Sequence, residues 1–262
     1  MQDLSLLRNK NAFICDMDGV IYHGNELIPN VKEFLDWLEK NDKKYLFLTN
    51  GSGKSPKELS QKLLRLGLKV TEDHFYTSAL ATASFLKSQT KGKGGTAYVI
   101  GEPGLFSALY EVGFTMNDID PDYVVFGSTK SLSYREIEKA STLVLNGAKL
   151  IATNSDLTDP TEIGIVPACR ALISPIELTT GKKAYYVGKP NPLMMRHALK
   201  KLGATREETA IIGDRMDTDI VAGLESEIDS VLVLSGVSNM DTVSKFSYRP
   251  TYILKDVGDI VE

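Results

Sequence analysis

The sequence is poor in cysteine and has no long apolar run. Of its 262 residues only Cys15 and Cys169 are cysteines, which excludes a disulfide framework and predicts two buried thiols. No segment approaches the ~18 consecutive apolar residues of a membrane helix, and Met1 to Lys10 has no apolar centre of signal-peptide length. We therefore expect a cytoplasmic protein without a membrane partner.

An excess of one charge sign is also missing. The chain carries 30 basic and 34 acidic residues, which are well mixed and give a formal charge of −4. A nucleic-acid-binding protein needs a basic stripe that neutralises phosphates, so we expect no nucleic-acid partner. The 42% of hydrophobic and 24% of charged residues are typical of a globular protein that buries a full core.

Neither a low-complexity linker nor an internal repeat interrupts the chain, and short strand-like runs alternate with helical patterns almost from end to end. Such alternation is typical of βαβ units with a parallel sheet, so the predicted class is α/β. The apolar faces of two predicted helices are Leu59, Leu63, Leu66 and Ile137, Ala140, Val144. The predicted strands are Ala12 to Cys15, Lys44 to Leu48, Thr96 to Ile100, Tyr123 to Phe126, Leu150 to Ala152, Tyr185 to Val187, Ala210 to Ile212, Ser230 to Leu234 and Thr251 to Leu254.

Two acids follow the first predicted strand. Asp16 and Asp18 lie two residues apart, before Gly19, where ligands bind in open α/β sheets. Acids at this spacing share a face and repel each other unless a cation or a proton intervenes, which favours a divalent metal. An acidic turn is the alternative, because Asp and Gly are common turn residues.

The second strand ends in Leu48, Thr49 and Asn50, before a predicted helix. Gly53-Lys54-Ser55 is similar to the end of a phosphate-binding P-loop, but Leu48 occupies the position where that loop requires glycine. Phosphate binding at Thr49 and Asn50 therefore competes with an Asn-Gly turn or a helix cap.

A lysine and a second acidic cluster come near the end of the chain. Lys189 is followed by two prolines that restrict the backbone, and a held lysine suits a phosphate, although solvated lysines are commoner. Asp214 follows a predicted strand much as Asp16 does, and Asp217 and Asp219 come shortly after it. The latter two are metal ligands or the acids of a helix N-terminus.

These four segments together indicate phosphoryl transfer. Enzymes accelerate phosphate-monoester hydrolysis by up to about 10²¹-fold, which no single group can supply. A nucleophile, a proton donor, cations for the phosphate oxygens and a metal ligand must converge on one centre, and four strand ends offer that convergence.

With these motifs the chain resembles the haloacid-dehalogenase-type phosphatases, which carry DxD, a strand-ending Thr or Ser, a Lys and GDxxxTD in this order. The closer resemblance is to the NagD-like branch, subfamily IIA, and extends over nearly the whole chain. It is carried by Asp16-Met17-Asp18-Gly19-Val20-Ile21-Tyr22-His23-Gly24, Leu48-Thr49-Asn50, Ala152-Thr153-Asn154, Val187-Gly188-Lys189-Pro190, Gly213-Asp214 and Thr218-Asp219.

The resemblance implies a Rossmann-like parallel-sheet core, residues 1–77 and 182–262, with an inserted α/β cap domain over 78–181. It implies that Asp16 attacks phosphorus and that Asp18 protonates the leaving oxygen and then activates water. Thr49 and Lys189 would hold the phosphoryl oxygens, and Asn50 would line their pocket. Mg²⁺ would bind the Asp16 carboxylate, the Asp18 main-chain carbonyl and Asp214, with support from Asp219. Relatives often pair through their caps, which implies a homo-oligomer.

The cap departs from the family pattern. Ser155 replaces the usual proline, and Arg170 stands where glycine is usual. Asn154, Asp156 and Arg170 are candidate substrate contacts, and loop capping or surface charge is the alternative role. His23, His74 and His197 correspond to no catalytic position of the family, so surface or packing roles are predicted.

The predicted function is Mg²⁺-dependent hydrolysis of small phosphorylated metabolites, nucleoside monophosphates or sugar phosphates. One alternative is a regulator that accepts phosphate on Asp16 and holds it, which Asp18 disfavours because it can activate water. A phosphomutase and a nucleotide-binding scaffold with an idle site are the others.

Overall fold

The computed structural model of the protein describes residues 3–161 and 164–261. None of the helices in these ranges combines the length and the apolarity that a membrane crossing requires. The strands, in chain order, are β1 (Ala12–Cys15), β2 (Tyr22–His23), β3 (Glu26–Leu27), β4 (Lys44–Thr49), β5 (Phe75–Thr77), β6 (Gly95–Ile100), β7 (Phe114–Met116), β8 (Tyr123–Phe126), β9 (Lys149–Ala152), β10 (Thr158–Thr161), β11 (Gly164–Pro167), β12 (Tyr185–Tyr186), β13 (Thr209–Gly213), β14 (Asp229–Val233) and β15 (Tyr252–Leu254).

Helices follow most of these strands. They are α1 (Ser5–Arg8), α2 (Val31–Lys40), α3 (Pro56–Arg65), α4 (Ser78–Gln89), α5 (Pro103–Glu111), α6 (Tyr134–Leu145), α7 (Cys169–Thr180), α8 (Pro192–Leu202), α9 (Val221–Glu225) and α10 (Met240–Ser244). Short 3₁₀ turns cover Glu72–His74 and Val257–Ile260, and a π-helical turn, Met216–Ile220, precedes α9.

The chain forms two compact units, and the first contains Met1–Thr49, Leu59–Tyr76 and Lys189–Glu262. Its sheet has the order β15-β14-β13-β1-β4-β5. The central strand β1 is parallel to both β13 and β4, and all four of its residues are buried. A parallel strand covered on both faces requires this continuous apolar sequence, which is why Ala12 to Cys15 could be recognised.

The second unit contains Asn50–Glu58 and Thr77–Gly188, and is built on a parallel sheet of order β12-β9-β8-β6-β7. Its core includes Val124 and Phe126 of β8, against which residues of α6 and α7 pack. An exposed antiparallel hairpin, β10 and β11, lies outside this sheet.

The predicted α/β class with parallel sheets is confirmed. β1 and β8 have the predicted limits, and the other predicted strands differ by one residue at one or both ends. The two buried free thiols are also confirmed. The prediction missed β5, β7 and the hairpins β2–β3 and β10–β11. We keep the division into a core of 1–77 and 182–262 and a cap of 78–181 as a proposal.

Candidate active site

Three neighbouring strands of the first unit bring polar residues to one edge of its sheet. Cys15, the last residue of β1, is paired with Ile212 of β13 and with Phe47 of β4. Because these strands are parallel, Asp16, Asp214 and Thr49, which come one or two residues further along, lie at the same edge. The Asp16 amide donates a hydrogen bond to the Ile212 carbonyl at 2.8 Å, which continues the strand pairing up to the acid.

A buried lysine links two of the acids. The Lys189 ammonium contacts Asp16 Oδ1 and Asp219 Oδ1, both at 2.6 Å, and donates to the Leu48 carbonyl at 3.3 Å. The side chain of Lys189 is 2% exposed, that of Asp219 is 1% exposed and that of Asp16 is 13% exposed. The cation is therefore fixed in place by its partners while one face of Asp16 stays accessible to a ligand.

Glycines allow the acids to approach the backbone this closely. A Cβ on Gly213 would lie 2.1 Å from Asp219 Cβ, and a Cβ on Gly236 would lie 2.1 Å from Asp214 Oδ2. Asp214 Oδ2 in turn accepts a hydrogen bond from the Val237 amide at 2.6 Å. The glycine of the Gly-Asp motif is required here by packing against Asp219.

Burial and the charges of neighbouring carboxylates raise the pKa values of Asp16 and Asp214. Burial, and then the charges of Asp219 and Asp214, raise the pKa of Asp16 to about 8, although Lys189 acts in the opposite direction. Burial, and then Asp219, raise the pKa of Asp214 to about 7. Desolvation lowers the pKa of Lys189, but the carboxylates of Asp16 and Asp219 outweigh it, so the net shift is upward. Lys189 therefore stays charged. Its single positive charge cannot stabilise all of the neighbouring carboxylates in their ionised form.

This donor set fits a divalent cation. Carboxylate oxygens of Asp16, Asp214 and Asp219 all lie within 4.8 Å of one another, and one ammonium cannot balance three carboxylates. Oxygen donors are the ligands of Mg²⁺ in proteins. Both oxygens of Asp219 already accept hydrogen bonds, Oδ1 from Lys189 and Oδ2 from the Arg215 amide at 3.1 Å, which leaves Asp16 and Asp214 as the better direct ligands.

Asp18 lies at the rim of this cluster. Its side chain is 51% exposed, and Asp18 Oδ1 is 3.5 Å from His23 Nδ1. Partial burial raises the pKa of Asp18, while His23 and Lys62 act in the opposite direction. An acid in this environment can exchange protons with a bound molecule and with water.

Thr49 ends β4 in the first unit and is half-buried, whereas Asn50 belongs to the second unit. There the Asn50 amide donates to Asp156 Oδ2 at 2.9 Å, and Asn154 donates to the Asn50 carbonyl at 2.9 Å. Within the second unit, these three candidate substrate contacts form one hydrogen-bonded group.

Arg170 is exposed at the start of α7, with its guanidinium carbon 6.0 Å from the ring centroid of Tyr186. Its backbone amide donates to the Asp156 carbonyl at 2.9 Å, which connects it to the group above. Asn154 is 3% exposed and also accepts from the Asp156 amide, which is the geometry of loop capping. Substrate contact by these residues stays a prediction.

The three histidines differ in their surroundings. His74 stacks on Tyr45 at 4.1 Å, and His197 Nδ1 is 3.0 Å from the Tyr76 hydroxyl, so both have the packing roles that were predicted. His23 is exposed but contacts Asp18, which the family motifs did not indicate. Only its position five residues after Asp18, beyond a glycine turn, could have suggested this contact.

Comparisons with known proteins agree with this geometry. Residues 13–115 match the family model of haloacid dehalogenase-like hydrolases, and residues 186–260 match a model of HAD-hydrolase-like proteins. Dihydroxyacetone phosphatase of Corynebacterium glutamicum is 43% identical over 96% of this chain and 90% of its own length. The ribonucleotide monophosphatase NagD of Escherichia coli is 42% identical over 94% of this chain and 96% of its own.

A solved structure, 4-nitrophenylphosphatase from Thermotoga maritima, superimposes with a TM-score of 0.94 at 32% identity, covering 98% of both chains. The chain belongs to the haloacid dehalogenase-like hydrolases. Within that family it is a phosphoric monoester hydrolase of the NagD-like branch.

Proposed function

We propose that the protein hydrolyses small phosphate monoesters through an aspartyl-phosphate intermediate on Asp16. The observation that carries this proposal is the buried group of Asp16, Lys189, Asp219 and Asp214 at one edge of the sheet, with Asp18 two residues beyond Asp16. A carboxylate oxygen of Asp16 attacks phosphorus as the bond from phosphorus to the leaving oxygen breaks.

Asp18 moves the protons of both half-reactions. In the first step it donates a proton to the leaving oxygen, so that an alcohol departs instead of an alkoxide. In the second it takes a proton from a water molecule that attacks phosphorus, which releases phosphate and restores the Asp16 carboxylate. The half-exposed position and the raised pKa of Asp18 support this double role.

Lys189 and Thr49 hold the phosphoryl oxygens in this scheme. The contacts of Lys189 to Asp16 and Asp219 orient its ammonium, and Thr49 ends the neighbouring strand. Mg²⁺ would be held by Asp16, Asp214 and the main-chain carbonyl of Asp18. Asp219 would support this site without binding the ion directly, because it contacts Lys189 and the Arg215 amide. When bound, the cation neutralises charge on the phosphoryl oxygens and lets Asp16 ionise.

We further propose nucleoside monophosphates or small sugar phosphates as substrates. The names of two relatives support both classes, since one is a ribonucleotide monophosphatase and the other a dihydroxyacetone phosphatase. Asn50, Asn154, Asp156 and Arg170 are the proposed contacts to the leaving group. A cytoplasmic location and a homo-oligomer through the cap are kept as proposals that fractionation and light scattering test.

A substrate panel with purified protein tests the proposal. We expect phosphate release from nucleoside monophosphates or sugar phosphates, its loss on chelation and its return with Mg²⁺. Asp16→Asn should abolish turnover while the protein stays folded, because the size of the side chain is kept and only the nucleophile is removed. Equal rates with and without the chelator would contradict the metal role, and an active Asp16→Asn enzyme would refute the nucleophile. Isomerised sugar phosphate without free phosphate would instead indicate a mutase.

A further inference from the structure

The chain after β1 folds back on itself and carries Tyr22 to the side of Asp18. The Met17 carbonyl accepts hydrogen bonds from the Ile21 amide at 2.9 Å and from the Tyr22 amide at 3.2 Å, and the Gly19 amide donates to the Tyr22 carbonyl at 2.8 Å. Gly19 has a φ of 79°, a backbone conformation that residues with a side chain rarely adopt. Tyr22 and His23 then form β2, so both leave this turn next to the acid.

The ammonium group of Lys62, in α3, lies over the face of the Tyr22 ring. Its ammonium nitrogen lies 3.3 Å from the ring centroid, at the face where the ring's quadrupole attracts a cation. Tyr22 is 7% exposed and belongs to the hydrophobic core of the first unit, so the ring is a rigid support. Leu59 and Leu63, on either side of Lys62 in α3, are buried in the same core and fix the helix.

Tyr22 forms an isolated β-bridge with Asp18, so the ring that carries Lys62 belongs to a direct backbone neighbour of the acid. His23 Nδ1 lies 3.5 Å from Asp18 Oδ1, and the charges of His23 and then Lys62 oppose the upward shift that partial burial gives to the pKa of Asp18. Burial raises the pKa of Tyr22, and the charges of Asp18 and then Asp16 raise it further. The imidazole of His23 thus contacts Asp18, and the ammonium of Lys62 lies on the ring of the residue that is bridged to Asp18.

We propose that Lys62, held on the Tyr22 ring, and His23 are positioning residues that orient the Asp18 carboxyl for proton transfer to the leaving oxygen. This inference rests on the proton-transfer role of Asp18 under the proposed function. A carboxyl that is half exposed on a turn rotates freely unless neighbours restrain it, and proton transfer requires it within about 2.6–3.2 Å of the leaving oxygen.

The inference predicts a dependence on the leaving group. p-Nitrophenolate is a stable anion that departs without a proton, whereas the alkoxide of glycerol 2-phosphate must be protonated as it leaves. A misoriented Asp18 should therefore slow the release of the alcohol from the alkyl ester and spare the release of p-nitrophenolate, whereas the later attack of water is the same for both esters. A merely structural role of Lys62 would slow both esters alike.

The test compares the rate of leaving-group release in a single turnover, with enzyme in excess over glycerol 2-phosphate or p-nitrophenyl phosphate, in Lys62→Met, Lys62→Arg, Tyr22→Leu and His23→Ala, at saturating Mg²⁺. We expect Lys62→Met to lose about 10-fold in the rate of glycerol release and less than about 2-fold in the rate of p-nitrophenolate release, within the roughly 10²–10⁴-fold that acid–base catalysis supplies. His23→Ala should likewise slow the alkyl ester more than the aryl ester. Lys62→Arg, which can occupy the ring face, should retain the wild-type ratio. Lys69→Met, at an exposed lysine a few residues further along, is the matched control.

Tyr22→Leu removes the ring and should reproduce the ratio of Lys62→Met, and the double variant should lose no more than either single one. Thermal unfolding identifies a variant that is not folded, and Lys62→Arg and His23→Ala then remain as tests. Equal losses on both esters in Lys62→Met, or an unchanged ratio, would overturn the inference.

Asp18→Asn in the same assay separates the two proposals. If Asp18→Asn discriminates between the esters while Lys62→Met and His23→Ala do not, only the positioning inference fails. If Asp18→Asn itself slows leaving-group release equally for both esters, the acid role of Asp18 in the proposed function fails.

Discussion

Replacing Lys189 by methionine tests the electrostatics of the site most simply. Methionine keeps much of the apolar stem but removes the ammonium that lies 2.6 Å from both Asp16 and Asp219. Removing one partner of a buried ion pair costs about 3–5 kcal/mol because the remaining charge is left uncompensated. In a domain of this size each kcal/mol lowers the unfolding midpoint by about 2–4 °C.

The loss should grow with pH. Lys189 lowers the pKa of Asp16 and of Asp214, so without it both values rise further above about 8 and about 7. A carboxyl whose pKa is higher in the folded than in the unfolded state loses stability as pH rises, because the unfolded chain holds fewer protons. The variant should therefore be destabilised more at about pH 8 than at about pH 6.

Thermal unfolding in the presence of a chelator measures both effects. Lys10→Met is the matched control, because Lys10 also contacts a carboxylate, Asp229, at 2.6 Å in the same unit, but the two side chains are 15% and 38% exposed. Exposed pairs contribute about 0–1 kcal/mol, so this control should lower the midpoint only slightly at either pH. Equal midpoint shifts for Lys189→Met and Lys10→Met, or a loss at Lys189 that does not change with pH, would refute the reasoning.

Three further predictions concern the metal, the pH and the core. Gly236→Ala should lower Mg²⁺ affinity in activity titrations about 10–100-fold, because its Cβ would lie 2.1 Å from Asp214 Oδ2 and displace that carboxylate; an unchanged half-saturation would contradict this. In wild-type protein with a chelator, the thermal unfolding midpoint should fall as the pH is raised from about 5 to about 8, because the pKa values of Asp16 and Asp214 are raised in the folded state. Added Mg²⁺ should restore the midpoint more at the higher pH. A midpoint that rises with pH would count against this. Leu63→Ala, in the core, should cost about 2–5 kcal/mol in denaturant unfolding, and Leu64→Ala, 60% exposed, within about 0.5; similar losses would contradict the packing.

The sequence predicts the sheet well where strands are buried on both faces. β1 and β8 are continuous apolar runs with every residue buried, and their limits were predicted without error. The hairpin β10–β11 has exposed or half-buried residues throughout and no apolar alternation, so periodicity carries no signal for it. The two-residue strands β2 and β3 are formed by a turn after Asp16 and are too short for any period.

The candidate site was predictable for a related reason. Acids and a hydroxyl that follow parallel strands must come to one sheet edge, which is how Asp16, Asp214 and Thr49 could be grouped before the fold was known. The position of Lys62 on the Tyr22 ring depends on how α3 packs against the core, and residues forty positions apart give no local pattern. The same holds for Asn50 and Asp156, which meet through the packing of the second unit.

Trapping the phosphorylated enzyme tests the central claim most directly. Asp18→Asn is mixed with p-nitrophenyl phosphate, whose leaving group needs no proton, and with Mg²⁺. The mixture is quenched, reduced with borohydride, which converts an aspartyl phosphate to homoserine, and digested for mass spectrometry. We expect homoserine at position 16 in this variant, because Asp16 can still attack phosphorus whereas water is no longer activated. Release of phosphate from this substrate while Asp16 stays unmodified would contradict the mechanism. A modification at another residue would contradict it as well.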